Sequence, residues 1–102
     1  MAPADDGHAV HYTALELGTP VISSDGEEVG QVVQVLDNYR EHIFDGLVIE
    51  TRSGEQKFVD APEVARTAER AVTLTITAAE VAELGPPPDR PKRVGRLFRR
   101  PR

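Results

Sequence analysis

Turn-forming residues cut this chain into apolar runs of strand length, and that punctuation constrains the fold more than any other feature. Between Leu15 and Leu84 the interruptions are Ser23-Ser24-Asp25-Gly26, Asn38 to His42, Arg52-Ser53-Gly54 and Ala61-Pro62. Side chains of a strand alternate between its faces, and the runs show that period. Val72, Leu74 and Ile76 oppose Thr73 and Thr75, the cleanest alternation in the chain. Val29, Val33 and Val35 oppose Val32 and Leu36, while Ile43, Leu47 and Ile49 oppose Phe44 and Val48. Val21-Ile22, Gln56 to Asp60 and Val64 to Thr67 are shorter strands, and Pro62, which has no amide to donate, ends the ladder before the last of these. Thr77-Ala78-Ala79-Glu80 then has the pattern of a capping box and opens a short helix with Ala78, Val81 and Leu84 on one face. Gly85 and Pro86-Pro87-Pro88 stop it. Five or six short strands and a short C-terminal helix define an all-β class, a small barrel or sandwich.

At 102 residues the chain has room for one domain with a thin core. With no Trp and only five Phe and Tyr, that core must be built from Val, Leu and Ile. Without Cys there is no disulfide and no thiolate metal site, which suits a reducing cytoplasm. No apolar run approaches the roughly 18 residues of a membrane span. Residues 1–14, rich in Ala, Asp, Gly and His, lack the apolar stretch of a signal peptide and are expected to form a disordered arm. The domain is expected over residues 15–84. Charge divides the chain sharply: residues 1–84 carry five Lys/Arg against sixteen Asp/Glu, a net of −11, whereas the Pro/Arg-rich tail, residues 85–102, carries seven against one, a net of +6.

Several of these segments together resemble the PRC-barrel family. Leu17-Gly18-Thr19-Pro20-Val21 followed by Asp25-Gly26-Glu27-Glu28-Val29-Gly30-Gln31-Val32 looks like the family's opening hairpin. Ile43-Phe44-Asp45-Gly46-Leu47-Val48-Ile49 resembles its next strand, and Lys57-Phe58-Val59-Asp60-Ala61 the segment after that. The family takes its name from the H subunit of the photosynthetic reaction centre and includes the C-terminal domain of a ribosome maturation factor. The resemblance implies a small PRC-type β-barrel and a habit of binding protein or RNA; it implies no reaction, and no functional residue is carried over from it.

The candidate sites are correspondingly few. Asp25-Gly26-Glu27-Glu28 has Val32 where a calcium loop would need its distal Glu, and reads as a solvated hairpin turn. Gly26 and Gly30 lack the Lys-Ser/Thr of a phosphate loop, and Gly30 fits a bulge or a close strand contact. His8, His11 and His42 form no ligand set, and Ser23 and Ser24 have no positioned base. No catalytic residue, metal site or cofactor is therefore expected, and no small-molecule substrate. Asp45-Gly46 interrupts an apolar strand, as a bulge or barrel corner would. Phe44, Asp45 and Val48 are the candidate contact residues for a protein partner or a second copy. Arg90, Lys92, Arg93, Arg96, Arg99, Arg100 and Arg102, interleaved with Leu97 and Phe98, are the candidate anchor for RNA or an anionic membrane surface. The expected function is a cytoplasmic, non-enzymatic adaptor working through protein–protein contacts; the alternative is an RNA- or ribosome-associated accessory factor.

Overall fold

The computed structural model describes residues 6–38, 41 and 43–87. Six strands form one sheet: β1 (Pro20–Ile22), β2 (Glu28–Asn38), β3 (Ile43–Glu50), β4 (Gln56–Asp60), β5 (Val64–Thr67) and β6 (Val72–Leu74), in the spatial order β4-β3-β2-β1-β6-β5. One short helix, α1 (Ala78–Ala82), follows. The fold is all-β, the class that the turn punctuation implies, and the sheet curls into a half-barrel. Neighbours pair antiparallel except β1 and β6, which run parallel with Val21 opposite Val72.

The core cluster is wholly aliphatic: Leu15, Val21, Val32, Leu47, Ile49, Val59, Val72, Leu74 and Val81. Val72 and Leu74 point inward with Ile76 packed beside them, as the alternation requires. The capping box at Thr77 forms with both its hydrogen bonds, Glu80 N to Thr77 Oγ1 and Thr77 N to Glu80 Oε1. The helix is one residue pair shorter than its expected end at Leu84, yet Val81 and Leu84 both reach the core.

Two expected face assignments are overturned, and bulges are the reason. A β-bulge inserts one residue into one strand of a pair and so reverses the inward–outward phase beyond it. In β3, Leu36 faces Gly46 while the next β2 residue, Asp37, faces Phe44, which leaves Asp45 as the inserted residue. Phe44 therefore packs on the core side with Leu47 and Ile49, and Ile43 is left exposed. In β2 the register also skips Val33, so Val32 and Val35 share the inner side. Gly46 has φ +155°, and a Cβ there would collide with the Val59 carbonyl oxygen and the Phe58 ring. A Cβ at Gly30 would lie 2.5 Å from the Glu50 carbonyl oxygen, the close strand contact expected of that position.

Residues 6–14 are not the disordered arm that their composition suggested. Val10 N donates to Thr67 O, Glu69 N to His8 O and Arg70 N to Asp6 O, so the segment runs along the outer side of β5 and the turn beyond it. Backbone pairing needs no apolar side chains, which is why composition was silent about it.

Candidate functional site

Where the N-terminal segment turns away from β5, it leaves an aromatic groove. Tyr12 opens a short 3-10 turn, Tyr12–Ala14, whose first amides are capped by the His11 imidazole accepting from Thr13 N at 3.3 Å. The turn carries the Tyr12 ring onto Phe44: the centroids are 4.8 Å apart and the planes are inclined by 17°, an offset stack. The His11 ring lies beside the phenol ring, with centroids 4.3 Å apart and planes tilted by 33°. Val10, Ala61, Val64 and Arg66 complete a groove of about 310 Å³. The Tyr12 hydroxyl is pushed above its ordinary pKa, first by burial and then by the carboxylates of Asp37 and Asp45, so negative charge stands near the aromatic pair.

Arg66, which lines the groove, is held by an ion pair. Arg66 Nε donates to Asp6 Oδ2 at 2.8 Å and its Nη2 to Asp6 Oδ1 at 3.2 Å and to the Gly7 carbonyl at 2.9 Å. Those hydrogen bonds hold the Asp6 carboxyl below the usual carboxylate range and the Arg66 guanidinium above its own. The Asp6 side chain is 8% exposed against 41% for Arg66, so the carboxylate is the inner member of the pair. The His8 amide donates to the Glu69 carboxylate at 3.2 Å.

The candidate contact residues do not share one surface. Phe44 lies in the groove, Asp45 is the inserted residue of the bulge beside it, and Val48 is buried, 2% exposed, on the opposite face of β3. Val48 is thereby removed from the expected partner face, because the phase reversal at Asp45 separates it from Phe44. The seven tail cations and His42 lie outside the described residues. Ser23, expected in a solvated turn, is fully buried: its hydroxyl donates to Asp25 and accepts from Glu27 N at 3.1 Å. Asp25 in turn accepts from Ala78 N at 3.1 Å and docks the β1–β2 turn on the start of α1; the Ser23 hydroxyl is the main cause of its lowered pKa. Among the described residues no group of three His, Asp or Glu side chains could hold a metal, and no helix is long and apolar enough to cross a membrane.

Sequence reasoning missed Tyr12, Lys57 and the Asp6–Arg66 pair. Tyr12 had one available signal, being among only five Phe and Tyr in the chain. Lys57 had none: it is 9% exposed, and its Nζ donates to the Ala82 and Leu84 carbonyls at 3.1 and 3.0 Å, closing the C-terminal end of α1 onto β4.

The described molecule is thus an all-β half-barrel with an aromatic groove on its β5 side. No protein-family model matches the chain, and no curated protein is similar to it.

Proposed function

We propose that this protein is a PRC-barrel-like, non-enzymatic binding module, and that it engages a segment of a protein partner in the groove between Tyr12 and Phe44. The observation that carries the reading is the groove itself: a stacked aromatic pair, flanked by aliphatic side chains and by Arg66, which is fixed in an ion pair with Asp6. Aromatic surface held in a concave, preorganised site is the kind that anchors protein contacts at small entropic cost. The proposal places it in the cytoplasm, whose reducing conditions suit a chain without Cys.

The test is site-dependent capture followed by direct titration. A partner retained by immobilised full-length protein should be lost on Tyr12→Ala and kept on Leu17→Ser, a change at a well-exposed position away from the groove. The isolated partner should then titrate against the wild type and fail against Tyr12→Ala. Equal binding to both would place the contact elsewhere.

A second reading, an RNA- or ribosome-associated accessory factor, is favoured by the +6 charge of residues 85–102. The −11 body repels polyanions, so RNA retention should depend on those cations and fall steeply with salt. Retention unchanged by removing the tail charges would eliminate that reading.

A further inference from the structure

We propose that the groove between Tyr12 and Phe44 is occupied by this chain's own C-terminal segment Arg96-Leu97-Phe98-Arg99-Arg100, which competes with the partner for it. The inference rests on the reading of the groove as the module's contact site, and adds how that site is regulated.

Three observations support it. The first is chemical match. The groove offers stacked aromatic surface next to the carboxylates of Asp37 and Asp45, whose charge is felt at the Tyr12 hydroxyl. The segment offers Leu97-Phe98 bracketed by Arg96, Arg99 and Arg100, apolar side chains flanked by cations in sequence. A Phe ring can extend the Tyr12–Phe44 stack, and a guanidinium beside an aromatic face gains further from the ring's quadrupole. The second is charge at long range: a −11 body and a +6 tail on one polypeptide attract each other at any concentration, whereas an outside cationic ligand must first be encountered. The third is reach. The chain leaves α1 along β4, where Gly85 O accepts from Phe58 N at 3.0 Å. From Pro87 to Leu97 ten peptide units span at most about 33 Å. That length exceeds two of the molecule's three dimensions, which measure 38 × 28 × 20 Å.

The chain has no Trp, so the full-length protein with Phe98→Trp carries a single indole reporter. Expected is a blue-shifted emission, shielded severalfold from a neutral soluble quencher relative to a free peptide of residues 93–102 carrying the same substitution. The shielding should be independent of protein concentration. It should be lost with Tyr12→Ala and reduced with Asp37→Lys, a half-buried position outside the core cluster whose variant keeps the proposal testable if the aromatic deletion loosens the fold. Raising salt to 1 M, where charges are screened within about 3 Å, should also weaken it. An indole quenched as freely as the peptide overturns the proposal, as does shielding indifferent to both groove substitutions. Shielding that grows with concentration overturns it in favour of a second copy, and shielding that appears only with added RNA or anionic vesicles overturns it in favour of a polyanion. Failure here is distinguishable from failure of the functional reading, because Tyr12-dependent partner capture is measured without the reporter. If both hold, Leu97→Ser with Phe98→Ser should increase partner retention severalfold.

Discussion

At the β5 edge of the sheet, residues 6–10 are laid alongside the outer strand and the turn beyond it by three backbone hydrogen bonds, and a buried carboxylate locks them to Arg66. At the β4 edge, by contrast, the described residues supply one backbone hydrogen bond, from Phe58 N to Gly85 O, and the work passes to a side chain: Lys57 ties the end of α1 to the strand. Unpaired strand edges invite association with other chains, and the same protein has answered that hazard in two ways. One edge is closed by backbone, through a segment whose side chains do little burying. The other is closed by a helix that must already be folded. The first kind of closure can peel back locally, because residues 6–10 supply no member of the core cluster and only Val10 packs against it. The second cannot open without exposing Val81 and the barrel interior.

The sharpest way to break the contrast is at Gly46, which lets β4 approach β3 across the bulge. Gly46→Ala sets a side chain at φ +155° against the Val59 carbonyl and the Phe58 ring, and should cost about 3 kcal/mol in urea unfolding, lowering stability of the whole domain. Next is Lys57→Met, which keeps the buried stem but removes two charge-assisted hydrogen bonds. About 2 kcal/mol is expected, with the Phe58 amide losing exchange protection before the β5 amides do. Thr77→Ala removes the cap of α1 and should cost about 1 kcal/mol by the same denaturation measurement. A protein that tolerated all three would show that α1 does not close the β4 edge.

The smallest effect is confined to the other edge and is read by pH. The folded pKa of Asp6 lies below its unfolded value because of the Arg66 hydrogen bonds, so its contribution is fully present above the unfolded carboxylate range. It is lost as pH falls through the folded value. The protection factors of the Val10, Glu69 and Arg70 amides, corrected for the intrinsic rate at each pH, should fall over that acidic interval while that of Phe58 is little changed. Asp6→Asn should abolish the interval, leaving only the fall that Asp25 produces at the β1–β2 turn. Protection lost at both edges together would mean that the N-terminal segment and the core open as one unit.

Reading the sequence succeeded where structure is local and failed where it depends on a distant pairing. The capping box at Thr77, the turn at Arg52-Ser53-Gly54 and the inward set Val72, Leu74 and Ile76 each follow from residues within one or two turns of chain. The strand alternation in β2 and β3 was legible only up to the bulges. The interruption at Asp45-Gly46 was visible, but its consequence, that Phe44 and Val48 part company, depends on which partner residue faces the insertion. The groove was half legible: Phe44 stood out, but its stacking partner lies 32 positions earlier, in a segment whose composition suggests no structure. Arg66 and Asp6, 60 positions apart, and Lys57, which reaches a carbonyl end 25 positions on, carry no local signature at all.

The parallel pairing of β1 with β6 has a kinetic consequence. Strands β2, β3 and β4 form an antiparallel meander with short connections, and β5 and β6 form another local pair, so each half of the sheet can assemble from near neighbours. The halves are joined through Val21 and Val72, which are 51 positions apart, and that contact cannot reward the chain until the intervening loop has closed. The rate-limiting event in folding should therefore be the docking of the two halves across the β1–β6 seam. Conservative truncations such as Val21→Ala and Val72→Ala should mainly speed unfolding if the seam forms after the barrier, and slow refolding if closure is the barrier itself.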